Sequence, residues 1–259
     1  MRPIFVVITC YLTIAGASGQ NIEYMKNGVL KRTTIITSIQ RNQIIIAADS
    51  KQAWSGDLLH DNSNVPLKCK IRHIDNFFFA AEGHTTMISP YIDFLEIIES
   101  LDLSKKSFID KVDYIESNLQ DHVKQFVITF QRHNPNSFNQ ILNKTLFSVL
   151  FSAFENDLPV GMAIYWDIKS TDIGGWQIIS QRASSDLIPR HMIQGQKTGI
   201  DKLFDKNPSI KNSLYNVSGL IELIDTQIQD TPDKVGGPID VVVITSHGHR
   251  WAQKKEQCK

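Results

Sequence analysis

The stretch TTIITSIQRNQIIIAADSK, residues 33–51, decides the fold of this chain. Residues 33–39 and 43–48 are apolar runs rich in isoleucine, and the polar pair Arg41 and Asn42 lies between them. Two β-prone runs around a short polar turn are typical of a β-hairpin. The chain therefore opens its fold with two β-strands that are rich in β-branched residues.

Further strands are predicted wherever similar β-branched or aromatic runs stand between turn residues. Asp75 and Asn76 mark one such turn, and Asn156 and Asp157 mark another. The predicted strands lie at 69–74, 77–81, 145–154, 160–168, 175–182 and 239–244, with a last strand around Trp251.

Helices are predicted where apolar residues recur every three or four positions. The segment 131–143 lacks such a pattern and is predicted to be a loop. The predicted helical segments are 87–98, 108–130, 191–205 and 215–229.

The order of these blocks predicts the fold class. Strands come first, then two helices, strands, two helices and strands again, which disfavours alternating β-α units. Each amphipathic helix needs an apolar surface to cover. We therefore predict an α+β fold, a four-layer αββα sandwich, in which two antiparallel sheets pack face to face and helices cover both outer faces. Residues 33–259 are expected to form this single domain.

The composition and the motifs exclude several function classes. Lys and Arg number 27, as do Asp and Glu, so the excess positive charge of a nucleic-acid-binding protein is missing. The sequence contains no G-x-S-x-G, P-loop, G-x-G-x-x-G or H-E-x-x-H motif. His247 and His249 are expected to be exposed in a turn rather than to bind a metal. We expect no nucleic-acid partner, no cofactor and no metal.

Residues 1–17 have the pattern of an export signal. Arg2 provides a positive start, 4–14 form an apolar core, and Ala15, Gly16 and Ala17 are the small residues of a cleavage site. The apolar run is too short to span a bilayer. We expect a secreted or periplasmic protein with no membrane attachment after signal cleavage, an uncleaved anchor being the alternative. Residues 18–32 would remain as a propeptide or N-terminal extension.

Export would leave Cys69 and Cys258 as the cysteines of the mature chain, because Cys10 lies in the leader. A disulfide persists in an oxidising compartment. We predict that the two cysteines pair, and two unpaired thiols are the alternative.

Four segments resemble the proteasome β-subunit and its bacterial relative HslV. These families are N-terminal-nucleophile hydrolases with an αββα fold, which agrees with the block order. The resemblance is clear over 33–83, moderate over 230–251 and limited to block order between them. The four segments are the opening stretch 33–50, Cys69-Lys70-Ile71, Phe79-Ala80-Ala81-Glu82-Gly83 and Gly236-Gly237-Pro238-Ile239-Asp240-Val241.

The resemblance implies roles for four residues. Thr33 would be the nucleophile, with its own free α-amine as the base. Lys70 would lower the pKa of the threonine, and Asp49 would keep that lysine charged and oriented. The backbone N–H of Gly83 would help to form an oxyanion hole. The implied activity is hydrolysis of a peptide or amide substrate through an acyl-enzyme, and the rings that family members form imply a homo-oligomer.

Activation requires a cut directly before Thr33. Family precursors have a glycine at the preceding position, and this chain has Arg32. Lys31 and Arg32 are a dibasic site for another protease, or charges on a solvated edge. A chain that is cut would be a threonine peptidase or amidohydrolase, whereas an uncut chain would be an inactive protein of the same fold that acts in binding or assembly.

Supporting positions of the family also differ in this chain. Gly195 is followed by Gln196 where the family has a serine-glycine step. Pro232 and Val235 stand where the family has an aspartate and a serine, and Asp230 and Asp233 lie slightly out of register.

Overall fold

The structure, a computed structural model, describes residues 33–50, 69–88, 91–104, 106–184, 190–232 and 235–256. The predicted leader, the extension 18–32, Asp233 and Cys258 lie outside the described residues. The strands are β1 (Thr34–Ile39), β2 (Ile44–Ala48), β3 (Ile71–Ile74), β4 (Phe77–Gly83), β5 (Thr86–Ile88), β6 (Tyr91–Asp93), β7 (Lys144–Glu155), β8 (Leu158–Ser170), β9 (Trp176–Ser184), β10 (Arg190–Gly195), β11 (Asp240–Thr245) and β12 (Gly248–Gln253). The helices are α1 (Phe94–Glu99), α2 (Phe108–His133), α3 (Pro135–Ile141), α4 (Thr198–Lys206) and α5 (Val217–Asp230), with a 3-10 helix at Pro208–Tyr215.

The strands form two five-stranded sheets. Sheet A has the order β10-β1-β2-β11-β12, and sheet B has the order β3-β4-β7-β8-β9. All of their pairings are antiparallel. The strands β5 and β6 form a separate two-stranded ribbon.

Three buried clusters hold the layers together. The cluster between the sheets joins Ile35 and Ile46 of sheet A to Phe78 and Leu150 of sheet B. A second cluster lies between sheet B and α1 to α3. The third lies between sheet A and the pair α4 and α5. The predicted four-layer αββα sandwich is therefore confirmed.

The first hairpin lies in the middle of sheet A and is buried on both faces. Ile35 and Ile46 point towards sheet B, whereas Ile36 and Ile45 belong to the cluster beneath the helices. A strand that is covered on both faces has a nearly continuous apolar run rather than an alternating one. This explains the unbroken apolar run of β2, Ile44–Ala48.

The long helix α2 confirms the segment that was predicted at 108–130. Ser107 is its N-cap, and the side chain of Ser107 accepts a hydrogen bond from the N–H of Asp110. Buried residues recur at helical spacing along the face that covers sheet B. They are Phe108, Val112, Ile115, Leu119, Val123, Phe126, Val127 and Phe130.

The predicted helix at 87–98 is wrong in its first half. Thr86–Ile88 and Tyr91–Asp93 form the ribbon of β5 and β6, and α1 begins only at Phe94. The side chain of Asp93 accepts hydrogen bonds from the N–H groups of Leu95 and Glu96 at 2.9 and 3.3 Å. An aspartate in this position starts a helix at the next residue.

The predicted loop at 131–143 is also wrong, because α2 continues to His133 and α3 spans Pro135–Ile141. Asn134 closes α2 and caps α3, and Pro135 occupies the first turn of α3. Proline there needs no hydrogen-bond donor and has the helical φ angle. The Asn-Pro step marks a helix start rather than a loop.

The predicted helix at 191–205 divides into a strand and a shorter helix. Residues 190–195 form β10, which pairs with β1 from Thr34 opposite Gly195 to Ile39 opposite Arg190. Only α4, from Thr198, is helical. Pairing with the first hairpin overrides the local apolar spacing, because tertiary context outweighs propensity in short segments.

Among the described residues, no helix has the length and apolar character needed to cross a membrane.

Candidate active site

Thr33 lies at the entrance to β1, against the end of β10. It is 8% exposed. Its carbonyl oxygen accepts a hydrogen bond from the N–H of Gln196 at 2.8 Å. The carbonyl side of Thr33 is thereby tied to the segment that follows β10 in sheet A.

Lys70 reaches Thr33 from the other sheet. It immediately precedes β3, and its side chain is buried. Its Nζ donates to Oγ1 of Thr33 at 2.5 Å and to Oδ1 of Asp49 at 3.1 Å. The structure thus brings together the hydroxyl, the ammonium and the carboxylate that the sequence singled out.

Asp49 is held by two backbone groups as well as by Lys70. It follows β2 and is fully buried. Its Oδ1 accepts from the N–H of Thr34 at 2.8 Å, and its Oδ2 accepts from the N–H of Gly236 at 3.2 Å. A carboxylate with several donors has a fixed orientation, so Asp49 presents the same oxygen to Lys70 and to the start of β1.

The charge state of Lys70 reflects two opposing effects. Burial of the ammonium lowers the pKa of Lys70 below its ordinary value, and the negative charge and hydrogen bond of Asp49 oppose this change. Burial is the larger effect. Lys70 therefore releases a proton more readily than an exposed lysine does.

The end of β10 contributes two residues that sequence reasoning had treated only as departures from the family. Gly195 has a φ angle of +81°, and a Cβ at this position would lie 1.7 Å from the carbonyl oxygen of Thr33. The carbonyl oxygen of Gln196 accepts a hydrogen bond from Oγ1 of Thr34 at 2.6 Å. Gly195 was the sequence signal for the close approach of β10 to Thr33. Only glycine tolerates both the positive φ angle and the contact with the Thr33 carbonyl.

Gly83 lies at the end of β4, with a φ angle of +91°. A Cβ there would lie 2.6 Å from the carbonyl oxygen of Leu146, so this position also requires glycine. The neighbouring Glu82 has its Oε2 3.4 Å from the Cβ position of Gly195 and accepts from Oγ of Ser148 at 3.1 Å. The end of β4 thus lies beside the end of β10, while the oxyanion role of Gly83 stays a prediction.

Other positions that the sequence raised lie elsewhere. Asp230 contacts Lys202, with its Oδ1 2.6 Å from Nζ. His249 is exposed, and no group of three or more metal-binding side chains occurs within the described ranges. Cys69 is disulfide-bonded, but its pairing with Cys258 stays a prediction, since Cys258 lies outside the described residues.

The arrangement of Thr33, Asp49 and Lys70 places a buried cation beside a hydroxyl oxygen. Lys70 donates to the Thr33 oxygen and so stabilises negative charge that develops there. Asp49 fixes the ammonium at that oxygen, and burial strengthens both interactions.

Comparison with known proteins gives structural matches at low identity. No protein-family model and no curated protein matches the chain. The Gly-1 mutant of Anbu from Hyphomicrobium sp. strain MC1 shares 14% sequence identity with it, with a TM-score of 0.46 and 86% of each chain covered. Anbu from Yersinia bercovieri, described as an ancestral β-subunit, shares 10% identity with a TM-score of 0.46, and the match covers 86% of this chain and 87% of that one. The chain is thus structurally similar to Anbu at low sequence identity.

Proposed function

We propose that this chain is the precursor of an exported, proteasome-like N-terminal-nucleophile hydrolase. It becomes a threonine peptidase or amidohydrolase when it is cut between Arg32 and Thr33. The observation that carries the proposal is the buried hydrogen-bonded series from Thr33 Oγ1 through Lys70 Nζ to Asp49. Such a series is what an alcohol needs in order to act as a nucleophile near neutral pH.

Thr33, rather than its neighbour Thr34, is the residue suited to attack. The Thr34 hydroxyl donates to the carbonyl of Gln196, and the Thr34 N–H donates to Asp49. Thr34 is also fully buried, and its hydroxyl is already bonded to the Gln196 carbonyl. The Thr33 hydroxyl accepts a hydrogen bond from Lys70 and can give its own proton to a base.

The α-amine of the cut chain is that base. It is carried by the same residue as Oγ1, so no further side chain has to be brought into place. As Oγ1 attacks the substrate carbonyl carbon, its proton passes to the α-amine. The positive charge of Lys70, held by Asp49, stabilises the oxygen while its negative charge develops.

The tetrahedral intermediate requires a hydrogen-bond donor for its oxyanion. We assign this role to the backbone N–H of Gly83, at the end of the strand beside Glu82 and Gly195. Collapse of the intermediate expels the amine of the substrate, which takes the proton from the α-amine and leaves an ester on Thr33. Water then attacks this ester, releases the acid and restores the Thr33 hydroxyl.

Export and maturation belong to the same proposal. The leader at 1–17 directs the chain out of the cytoplasm, and a second protease that recognises Lys31 and Arg32 removes residues 18–32. The disulfide of Cys69 supports an oxidising compartment, because disulfides are rare where thiols are kept reduced.

The test is the N-terminal sequence and intact mass of the exported protein. The proposal expects a chain that begins at Thr33 and hydrolyses peptide or amide substrates. A secreted chain that begins near Ser18 and lacks hydrolytic activity would overturn it and would favour the inactive binding protein. A Lys31→Ala/Arg32→Ala variant is the matched control, since it should be exported but not cut before Thr33.

A further inference from the structure

A second buried lysine-aspartate pair lies next to the candidate site. Nζ of Lys255 is 2.9 Å from Oδ2 of Asp240, and the N–H of Lys255 donates to Oδ1 of Asp240 at 3.0 Å. The side chains of both residues are at most 2% exposed. The segment that follows β12 is thereby held beside the start of β11, where Gln253 pairs with Val241.

Asp240 is close to Asp49 through the pairing of neighbouring strands. It lies opposite Ala48, the last residue of β2, and Asp49 is the next residue. The two buried pairs therefore lie at the same end of sheet A. Lys255 also acts on Lys70 through space, because like charges repel and its positive charge helps to lower the pKa of Lys70.

The segment 235–239 connects the two pairs along the chain. Gly236 donates its N–H to Oδ2 of Asp49, and its carbonyl accepts from the N–H of Ser50 at 3.0 Å. The hydroxyl of Ser50 donates to the carbonyl of Pro238. Asp240, the first residue of β11, directly follows this segment. The ion pair and hydrogen bond between Lys255 and Asp240 therefore fix the C-terminal end of the segment.

Stability alone is a weak reason for burying such a pair. Removing two charges from water costs several kcal/mol per ion, and apolar residues of similar volume often give equal or greater stability. The best-attested use of a buried ion pair is to specify one arrangement of the surrounding chain. In this molecule, the pair of Asp240 and Lys255 specifies the arrangement of segment 235–239, which binds Asp49.

We propose that Asp240 and Lys255 are positioning residues, which hold segment 235–239 so that the N–H of Gly236 keeps Asp49 in place beside Lys70. The catalytic consequence rests on the proposed function of Thr33, whereas the positioning itself does not. The charged groups that act on Lys70 are Asp49, Glu82 and Lys255. Asp240 and Lys255 influence the reacting atoms only through Asp49 and Lys70.

The test compares two variants of the full chain. Lys255→Met removes the ammonium but keeps the backbone N–H, and leaves the Asp240 carboxylate buried. The double variant Asp240→Leu/Lys255→Met replaces the ion pair with apolar side chains and is expected to recover most of the stability lost in the single variant. Lys254→Met is the matched control, because this neighbouring lysine is exposed and lies over Trp251.

The primary readout is hydrogen exchange at the Gly236 amide, measured at temperatures equally far below the Tm of each protein. We expect exchange to be faster by roughly tenfold in both the single and the double variant, because local opening of the segment becomes easier. In the chain cut before Thr33, kcat should fall by about ten- to a hundredfold in both variants. The Lys254→Met control should match the wild type.

Two outcomes would overturn the inference. Wild-type exchange at Gly236 in the Lys255→Met variant would show that Lys255 does not hold the segment. Recovery of both exchange and kcat in the double variant would show that the pair is only structural. If the wild-type cut chain hydrolyses nothing, the proposed function fails, and the exchange at Gly236 alone decides the positioning role.

Discussion

Two buried regions of this molecule are built in opposite ways. The charged end consists of Thr33, Asp49, Lys70, Asp240 and Lys255, at the strand ends of sheet A and the start of β3. All five are polar, and each is less than 9% exposed. The aromatic layer consists of Phe94, Phe126, Phe147 and Trp166, between sheet B and the helices α1 and α2, and is equally buried.

The aromatic layer stabilises the fold, whereas the charged end holds the groups that can take part in chemistry. In the aromatic layer, the Phe147 ring stacks on Phe94 at 4.4 Å and on Trp166 at 4.5 Å between ring centroids. Such contacts stabilise the fold and offer no reactive group. The charged end costs desolvation energy and holds the groups that can transfer protons and stabilise charge. Loss of the Thr33 hydroxyl at the charged end should therefore alter activity more than stability, and changes in the aromatic layer should do the reverse.

The largest effect is expected for Thr33→Ala in the chain cut before residue 33. Loss of the nucleophile should lower kcat by about 10⁴-fold or more. The free energy of unfolding should change by only about 1–2 kcal/mol, because one hydrogen bond with Lys70 is lost. Steady-state hydrolysis and urea unfolding measure the two quantities. Thr33→Ser keeps the hydroxyl and should retain activity, and full activity of Thr33→Ala would assign the nucleophile elsewhere.

The reverse pattern is expected for Phe147→Ala. Truncation of this fully buried ring should lower the free energy of unfolding by about 3–5 kcal/mol, through lost transfer energy and a cavity. The kcat of the remaining folded protein should stay within about threefold of the wild type. Ile109→Ala on the outer side of α2 is the control, because Ile109 is 46% exposed. A large loss of kcat at constant folded fraction would show that the two regions are not separate.

Two glycines with the same backbone angle isolate the contact with Thr33. Gly195 and Gly174 both have a φ angle of +81°, but a Cβ on Gly174 would meet no atom within 4 Å. Alanine at either position should cost about 1–2 kcal/mol of unfolding free energy from the left-handed angle. Gly195→Ala should cost about 2 kcal/mol more, since the chain around Thr33 must shift. Thermal unfolding of both variants decides this, and equal losses would mean that the approach of Gly195 to Thr33 is unimportant.

The smallest effect is a change in the pH dependence of stability. Because burial lowers the pKa of Lys70 in the folded protein, the unfolded chain binds more protons at alkaline pH. The stability of the wild type should then rise with pH, from the lowered pKa up to the ordinary lysine value of about 10.4. The slope from one group is at most about 1.4 kcal/mol per pH unit. Lys70→Met should lack this contribution when unfolding free energies of the two proteins are compared at several pH values, and parallel curves would contradict the lowered pKa.

The sequence predicted the regions in which local pattern and tertiary packing agree. The first hairpin and α2 were predicted within a few residues, because their apolar runs match the faces that they bury. The helix start at Asn134 and Pro135 was misread as a loop, although the cap and the proline signal it. The sequence analysis predicted a helix where β10 lies. The local pattern could not reveal this strand, since its pairing with β1 joins residues far apart in the chain.

The same limit applies to the candidate site. Thr33, Asp49 and Lys70 were singled out from strand ends and the family resemblance, and Lys70 lies within hydrogen-bonding distance of the other two. Gln196 contacts Thr33 and Thr34 through its backbone N–H and carbonyl. Any type of residue other than proline could make these contacts, so the sequence does not reveal them. Lys255 was missed because a lysine near the end of a chain is usually exposed, and only the fold brings it to Asp240.

The most direct test of the account is a comparison of two chains released by a site-specific protease, one beginning at Thr33 and the other at Arg32. They differ by one residue and share the same Lys70, Asp49 and Gly83. The account predicts that the chain beginning at Thr33 hydrolyses peptide or amide substrates, and that the chain beginning at Arg32 does not, because its Thr33 nitrogen remains in a peptide bond. Equal hydrolysis by the two chains, or none by either, would contradict the claim that Thr33 acts as an N-terminal nucleophile.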